Sequence, residues 1–259
     1  MDLKKTLSEL CNASNEQAAQ LAAEYLSEFT SPERSALGNV YGLLKGKKDY
    51  TILIDAHIDE VHFVVTSVDD DGFLHIDKFG GPDLRPLSGA EVTVFAAKPL
   101  YGVVCKYELE DGKAPSADKI KVDIGFSGDE AKKRVKPGDR VSFNQSSLIL
   151  LNNKITAKSL DDRAGIAALL AAAEKLKNAG EIPVNAAFLF SQFEEIGGMG
   201  ALTGINLLRP DEAIAVDVGF GDNIGVDEEK CQKLGKGPQI GFSPILSGKI
   251  TSKLCSLAE

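Results

Sequence analysis

The stretch TILIDAHIDEVHFVVTSVDDDG, residues 51–72, decides the fold. Thr51 to Ala56 is a β-branched, apolar run that reads as a strand, and His57, Asp59 and Glu60 follow at its end. Val61 to Val68 reads as a further strand, closed by a hairpin-like turn over Asp69, Asp70, Asp71 and Gly72. In an open α/β sheet, ligands bind outside the carboxyl ends of the strands. A His and acids placed there point to a site.

Upstream, Gly38 to Leu44 reads as another strand. Before it, Leu3 to Cys11 reads as a short helix, and Ser14 with Gln17 forms a capping-box pattern that starts a second helix running to about Phe29. Ser31-Pro32 breaks that helix. Downstream the texture changes. Short β runs (Phe73 to Phe79, Glu91 to Ala96, Gly102 to Lys106, Ile120 to Ile124, Arg140 to Phe143) alternate with Gly, Pro and Asp turns, as in a small barrel. One helix, Gly128 to Val135, interrupts them.

From Asp162 the long units return: a helix through Ala179, a strand Asn185 to Ser191, a helix Met199 to Leu208 and a strand Ala213 to Val218. Gly248 to Ala258 reads as an amphipathic helix. The organisation expected is an α/β domain with a mixed sheet, built from residues 1–66 and 157–259 and interrupted by an inserted small β-barrel over residues 67–156. The two outer pieces are expected to share one sheet.

The chain has 259 residues and 43% apolar content, enough for two modest cores. Its net charge of -9 argues against nucleic acid, because phosphate binding needs clustered Lys and Arg. No stretch has the continuous apolar length of a membrane span, and the polar start MDLKKTLSEL lacks the apolar core of a signal peptide, so a cytoplasmic protein is expected. Cys11, Cys105, Cys231 and Cys255 form no CxxC pair and read as free thiols. The absence of Trp removes the usual platform for stacking sugars or bases.

Four segments place acids or a His at strand ends or strand-to-helix turns: AHIDE (56–60), SLDDRAG (159–165), FEEIGG (193–198) and AVDVG (215–219). One His with several carboxylates suits divalent ions such as Zn, Co or Mn. Two such ions about 3.5 Å apart clamp the attacking and departing oxygens of a hydrolysis. Asp59, two residues after His57 and on the same face of an extended strand, is placed to hold the imidazole's orientation. Glu194 and Glu195 diverge if extended, which suits one metal-binding and one proton-handling role. Neighbouring acids of this kind also count against a glycosidase, whose two carboxylates face each other across a sugar ring.

Together these segments, with Leu37-Gly38-Asn39-Val40 and Gly80-Gly81, resemble the dinuclear-metal aminopeptidases, the family of the glutamyl and tetrahedral TET aminopeptidases within the zinc exopeptidases. The resemblance covers almost the whole chain, and the insert lies between His57 and Asp161, as it does in that family. It implies that Asp161 bridges two metals, that His57 and Asp217 complete one site, that Glu195 serves the other, and that Glu194 is the general base. It implies peptide substrates with a free N-terminus, cleaved one residue at a time, and a homo-oligomer assembled through the barrel.

The match breaks at a fifth ligand, a His near the family's C-terminus: this chain has only His57, His62 and His75. The expectation is a C-terminally truncated product with a second metal site incomplete at Glu195. The alternatives are a deacylase or carboxypeptidase of the same clan, and a non-catalytic homologue that acts only in assembly. Asp162-Arg163 reads equally as a site element or as a helix-start acid with its ion pair. His62 stands where relatives have Gly, on the opposite strand face from His57, and is expected at a core or domain junction.

Overall fold

The computed structural model describes residues 1–221 and 226–258. In chain order the elements begin with α1 (Leu3–Asn12), α2 (Asn15–Ser27), β1 (Glu33–Arg34), β2 (Val40–Leu44), β3 (Lys48–His57) and β4 (His62–Val68). They continue with β5 (Leu74–Phe79), β6 (Glu91–Phe95), β7 (Pro99–Val104), β8 (Lys121–Asp123), α3 (Gly128–Arg134), β9 (Arg140–Phe143), β10 (Leu148–Leu150) and β11 (Lys154–Thr156). The last are α4 (Leu160–Asn178), β12 (Val184–Ser191), α5 (Met199–Leu208), β13 (Glu212–Ala215) and α6 (Gly248–Ala258).

The capping box read from the sequence is present: Ser14 accepts from the Gln17 amide, and the Gln17 side chain accepts from the Ser14 amide. Two of the free amides at the start of α2 are thereby satisfied.

Contacts divide the chain into Met1–Asp217 and Val218–Glu259. The first unit holds a five-stranded sheet, ordered β1-β2-β12-β3-β13, and a closed six-stranded barrel, ordered β4-β5-β8-β7-β6-β9. The sheet joins chain from both sides of the barrel, since β12 pairs antiparallel with β2 and parallel with β3, and β13 pairs parallel with β3. The parallel trio β12, β3 and β13 therefore ends at one edge. In the second unit the described elements are α6, a short helical turn over Glu228–Lys230 and a bridge between Gly221 and Gln232.

One sheet face packs under α1, α2 and α4 in a core of Leu10, Leu26, Val40, Ile166, Leu170, Phe188 and Phe190. The other face carries Leu53, Ala187 and Leu189, with Leu208 of α5 against them. A Cβ on Gly200 would stand 2.1 Å from the Gln192 carbonyl oxygen, so only glycine lets α5 lie this close to the chain leaving β12.

The barrel has its own core, including Phe63, Val65, Leu74, Ile76, Val92, Val94, Val122 and Val141, joined by Ala131 of α3 and Val135 just after it. Each fully buried side chain of this size contributes roughly 1.5–3 kcal/mol before chain entropy is counted. The barrel begins at His62, so residues 62–66, assigned to the sheet domain from sequence, belong to it as part of β4. The alternation of β4 fits either layer. Its pairing with β5 and β9 decides the matter.

Candidate metal centre

The parallel trio sets the site. His57 ends β3 opposite Ser191, the last residue of β12, and Ala215 at the end of β13 pairs with Asp55. Residues that leave these strands, Glu194, Glu195 and Asp217, therefore meet His57 at one edge of the sheet. Asp161 comes from the start of α4, where Ser159 has φ +59 and Asp161 and Asp162 depart from helical geometry across a cis peptide bond.

His57 forms the floor, with its side chain 2% exposed, while Asp161, Glu194 and Asp217 stand 59%, 47% and 49% open to solvent. Its Nε2 lies 2.8 Å from Asp161 Oδ1, 3.9 Å from Glu194 Oε2 and 4.0 Å from Asp217 Oδ1. Two overlapping groups have one donor atom each within 4.8 Å of one another: His57 with Asp161 and Asp217, and His57 with Glu194 and Glu195. All four residues expected as ligands, and Glu194 with them, are thus brought together.

Asp59 lies behind the imidazole, its main-chain oxygen 3.2 Å and its carboxylate 3.4 Å from His57 Nδ1. The same carboxylate accepts the backbone N–H of Glu194 at 3.1 Å and of Glu195 at 3.4 Å. Asp59 thereby ties the His to both glutamates, a connection that strand alternation did not reveal. The divergence expected of Glu194 and Glu195 in an extended chain does not occur. The segment is a turn, entered through Phe193 at φ +63 and closed by amides of Gly197 and Gly198 on carbonyls of Glu194 and Phe193. A bulky residue in that backbone region costs about 1–3 kcal/mol, which surrounding structure must offset. Gly80, itself at φ +80, backs the turn: a Cβ there would lie 3.1 Å from Glu195 Cβ.

The electrostatics are those of crowded acids. Burial, reinforced by the Asp161 charge, pushes the Glu195 carboxyl up to about 7, and burial raises Glu194 as well. Burial alone would lower His57, yet hydrogen bonds to Asp161 and Asp59 and their charges overcome it and push the imidazole up to about 11. Two acids outside the expected set stand beside them. Asp55 is pushed up to about 6 and Asp162 to about 8, each chiefly by burial. Among the described residues, Asp55 Oδ1 and Asp162 Oδ2 are buried without a hydrogen-bond partner. A donor set of one imidazole and several oxygens, crowded with negative charge, fits a hard or borderline divalent cation.

Asp162 and Arg163 part company. Asp162 accepts the Gly165 amide at 3.0 Å, as a helix-start acid does. Arg163, fully buried, donates to the carbonyls of Leu10 and Ala13 at 2.6 and 2.7 Å and to Asn15 at 3.0 Å, so it anchors the α1–α2 corner. His62 lies in neither ligand group; it sits at the barrel's entry, 7% exposed, with Nδ1 2.9 Å from the Glu60 carbonyl. Glu60, placed at the strand end by the sequence, has no role assigned from it. Its buried carboxylate contacts Arg140 and Ser142 of the barrel together with Lys158 and Ser159.

Against this geometry the sequence profile of the M42 glutamyl aminopeptidases matches residues 38–259. The chain belongs to the M42 glutamyl aminopeptidase family. Within it, the lysyl aminopeptidase of Pyrococcus furiosus is 30% identical over 224 residues, covering 83% of this chain and 64% of that protein. The M42 fold is shared with an aminopeptidase from the archaeon Desulfurococcus kamchatkensis at TM-score 0.83 and 29% identity, over 91% of this chain and 69% of that one. It is shared also with the TET1 peptidase of Pyrococcus horikoshii at TM-score 0.84 and 28% identity, over 99% and 81%; that protein assembles into a tetrahedron or a large octahedral shell. This M42 chain spans 57% to 64% of the length of the curated relatives it matches. No helix among the described residues is long and apolar enough to cross a membrane.

Proposed function

We propose that this chain is a metal-dependent aminopeptidase that removes the N-terminal residue of peptides, using two divalent ions of the zinc, cobalt or manganese type. The observation that carries the reading is the convergence of His57 with Asp161 and Asp217, and with Glu194 and Glu195, at one sheet edge. His57, Asp161 and Asp217 would hold one ion; Glu195, with Asp161 shared, would hold the second more weakly, since no second His joins it among the described residues. When bound, the ions supply Lewis acidity that lowers the pKa of water and polarises the scissile carbonyl.

The chain's own residues supply the proton handling and the order. Glu194 Oε2, at the open side of His57, takes a proton from the attacking water and passes it to the leaving amine nitrogen. Burial raises the Glu194 carboxyl, which brings its basicity nearer to neutral pH. Asp59 holds the imidazole and the Glu194–Glu195 turn in one frame, so that base and ligands keep a fixed spacing. The acidic cleft favours a substrate whose N-terminus is cationic.

The four free cysteines suit a reducing compartment such as the cytoplasm. Self-assembly is supported by the β10–β11 hairpin, where Leu148, Ile149, Leu150 and Leu151 are all exposed, and by the shells of the horikoshii relative. Light scattering on the purified chain tests it; a monomer at all concentrations would reject assembly.

The test of function is hydrolysis of aminoacyl p-nitroanilides against their N-acetylated counterparts, with Co, Mn or Zn added. Turnover of the free-amine substrates alone is expected. Preference for the blocked ones would indicate a deacylase or carboxypeptidase, and no turnover by a metal-loaded chain would indicate a non-catalytic homologue.

A further inference from the structure

His62 is a cross-strand partner of Phe79 in the β4–β5 pair, and its ring stacks on Phe79 at 4.2 Å with the planes 23° apart. A carbonyl only accepts, so Nδ1, 2.9 Å from the Glu60 oxygen, carries the ring's proton and fixes the tautomer. Phe79 in turn meets Phe193 at 6.5 Å, tilted by 57°. Phe193 is the residue at φ +63 directly before Glu194, and the chain after Phe79 runs through Gly80 against Glu195. Three rings in series therefore join the first strand pair of the barrel to the turn that carries both glutamates. A bulky residue keeps a left-handed backbone only where packing over-determines it, and ring contacts of this spacing supply directional packing.

We propose that the His62–Phe79–Phe193 stack positions the Glu194–Glu195 turn, with His62 acting as a positioning residue and not as a metal ligand. The inference rests on the metal-dependent reading above for what the turn does, and on the geometry alone for how the turn is held. Relative to a glycine at this position, the imidazole adds a ring face and a bond to the Glu60 carbonyl. The barrel thereby reaches the site by a route separate from Asp59, which holds the same turn through its amides.

The experiment uses the full chain and compares His62→Gly, His62→Phe and the parent protein by amide hydrogen exchange and by cobalt(II) titration followed in the visible spectrum. In His62→Gly, exchange at Gly197 and Gly198, whose amides close the turn, is expected to speed up about tenfold, while amides of β6 and β9 stay within about twofold. The weaker cobalt dissociation constant is expected to rise about five- to tenfold. His62→Phe, which keeps the ring face, is expected to return both readouts to within about twofold of the parent.

Unchanged exchange at Gly197 and Gly198 in His62→Gly, equal acceleration across the whole barrel, or failure of His62→Phe to restore the turn would overturn the proposal. A parent protein that binds no cobalt, or binds it and cleaves no aminoacyl amide, would overturn the functional reading instead. Exchange at the turn still decides the role of the stack in that case.

Discussion

His57 Nε2 and Asp161 Oδ1 lie 2.8 Å apart although 104 positions of chain, including the whole barrel, separate them. The contact closes the sheet domain around its insert, and it does so with two groups that the proposed function assigns to metal. Part of the charge crowding at Glu195 comes from Asp161. Replacing Asp161 by Asn keeps an oxygen for His57 but removes that charge. D161N relieves the crowding at Glu195 but takes the anion from the buried His57, so the decisive readout is the metal response: cobalt, expected to raise the parent's Tm by mass action, should no longer raise that of D161N. Thermal melts with and without cobalt check this; a cobalt shift retained in D161N would remove Asp161 from the metal site.

Asp59 gives a prediction about activity. Its carboxylate receives two backbone amides and faces His57 Nδ1, so every neighbour presents a hydrogen to it. An Asn at this position turns one acceptor into a donor that meets donors. D59N is expected to lose about 10- to 100-fold in metal affinity or in kcat. Titration with cobalt and steady-state kinetics on a free-amine substrate measure both, and a change in KM alone would contradict the role.

Glu60 makes stability depend on pH. Burial would raise its carboxyl, but the charges of Arg163, Lys158 and Arg140 outweigh burial and hold it down to about 2. Its folded value lies below the unfolded one, so its contribution is present above about pH 4.5 and is lost as pH falls towards 2. The shift corresponds to on the order of 3 kcal/mol. Burial lowers Arg163, Lys158 and Arg140, and neighbouring cations lower Lys158 and Arg140 further, so the cluster as a whole is worth less than this figure. Urea unfolding at pH 7, 5 and 3 is expected to show stability falling across this window, and falling less steeply in E60Q. E60Q should also be less stable at pH 7, because it leaves the buried cations without an anion.

Much of this was legible in the sequence for an identifiable reason. The strands ending at His57 and Ser191 are apolar runs with chemistry at their ends, and the Ser14–Gln17 cap is written in four residues. Local pattern does not report partners, and that is where the rest was hidden. The alternation of β4 is the same whether it borders the sheet or the barrel. The apolar strand β10 has the composition of a core strand yet is exposed. The convergence of Glu194 and Glu195 depends on a turn through a left-handed Phe193, which no propensity for Phe would suggest. Glu60 is visible inside the AHIDE segment, but its role as an ion-pair hub is not, because its partners come from 80 positions or more along the chain.

Arg163 offers the sharpest test of how the site's foundation is built. It is fully buried, and its guanidinium reaches four acceptors: the carbonyls of Leu10 and Ala13, Asn15 Oδ1 and, at 3.4 Å, the carbonyl of Ile58. Two of these belong to the end of α1 and the bend after it, and one to the residue that follows His57. Removing the side chain strands buried carbonyls and opens a cavity, so R163A is expected to cost about 3–5 kcal/mol. R163K restores a charge but not the planar fork, so it should recover only part of the loss. Equilibrium urea unfolding gives the magnitudes, and limited proteolysis near residues 11–14 shows whether the α1–α2 corner opens first. Equal stability of R163K and the parent would mean that Arg163 serves as charge for Glu60, 3.7 Å away, and not as a bracket for the corner.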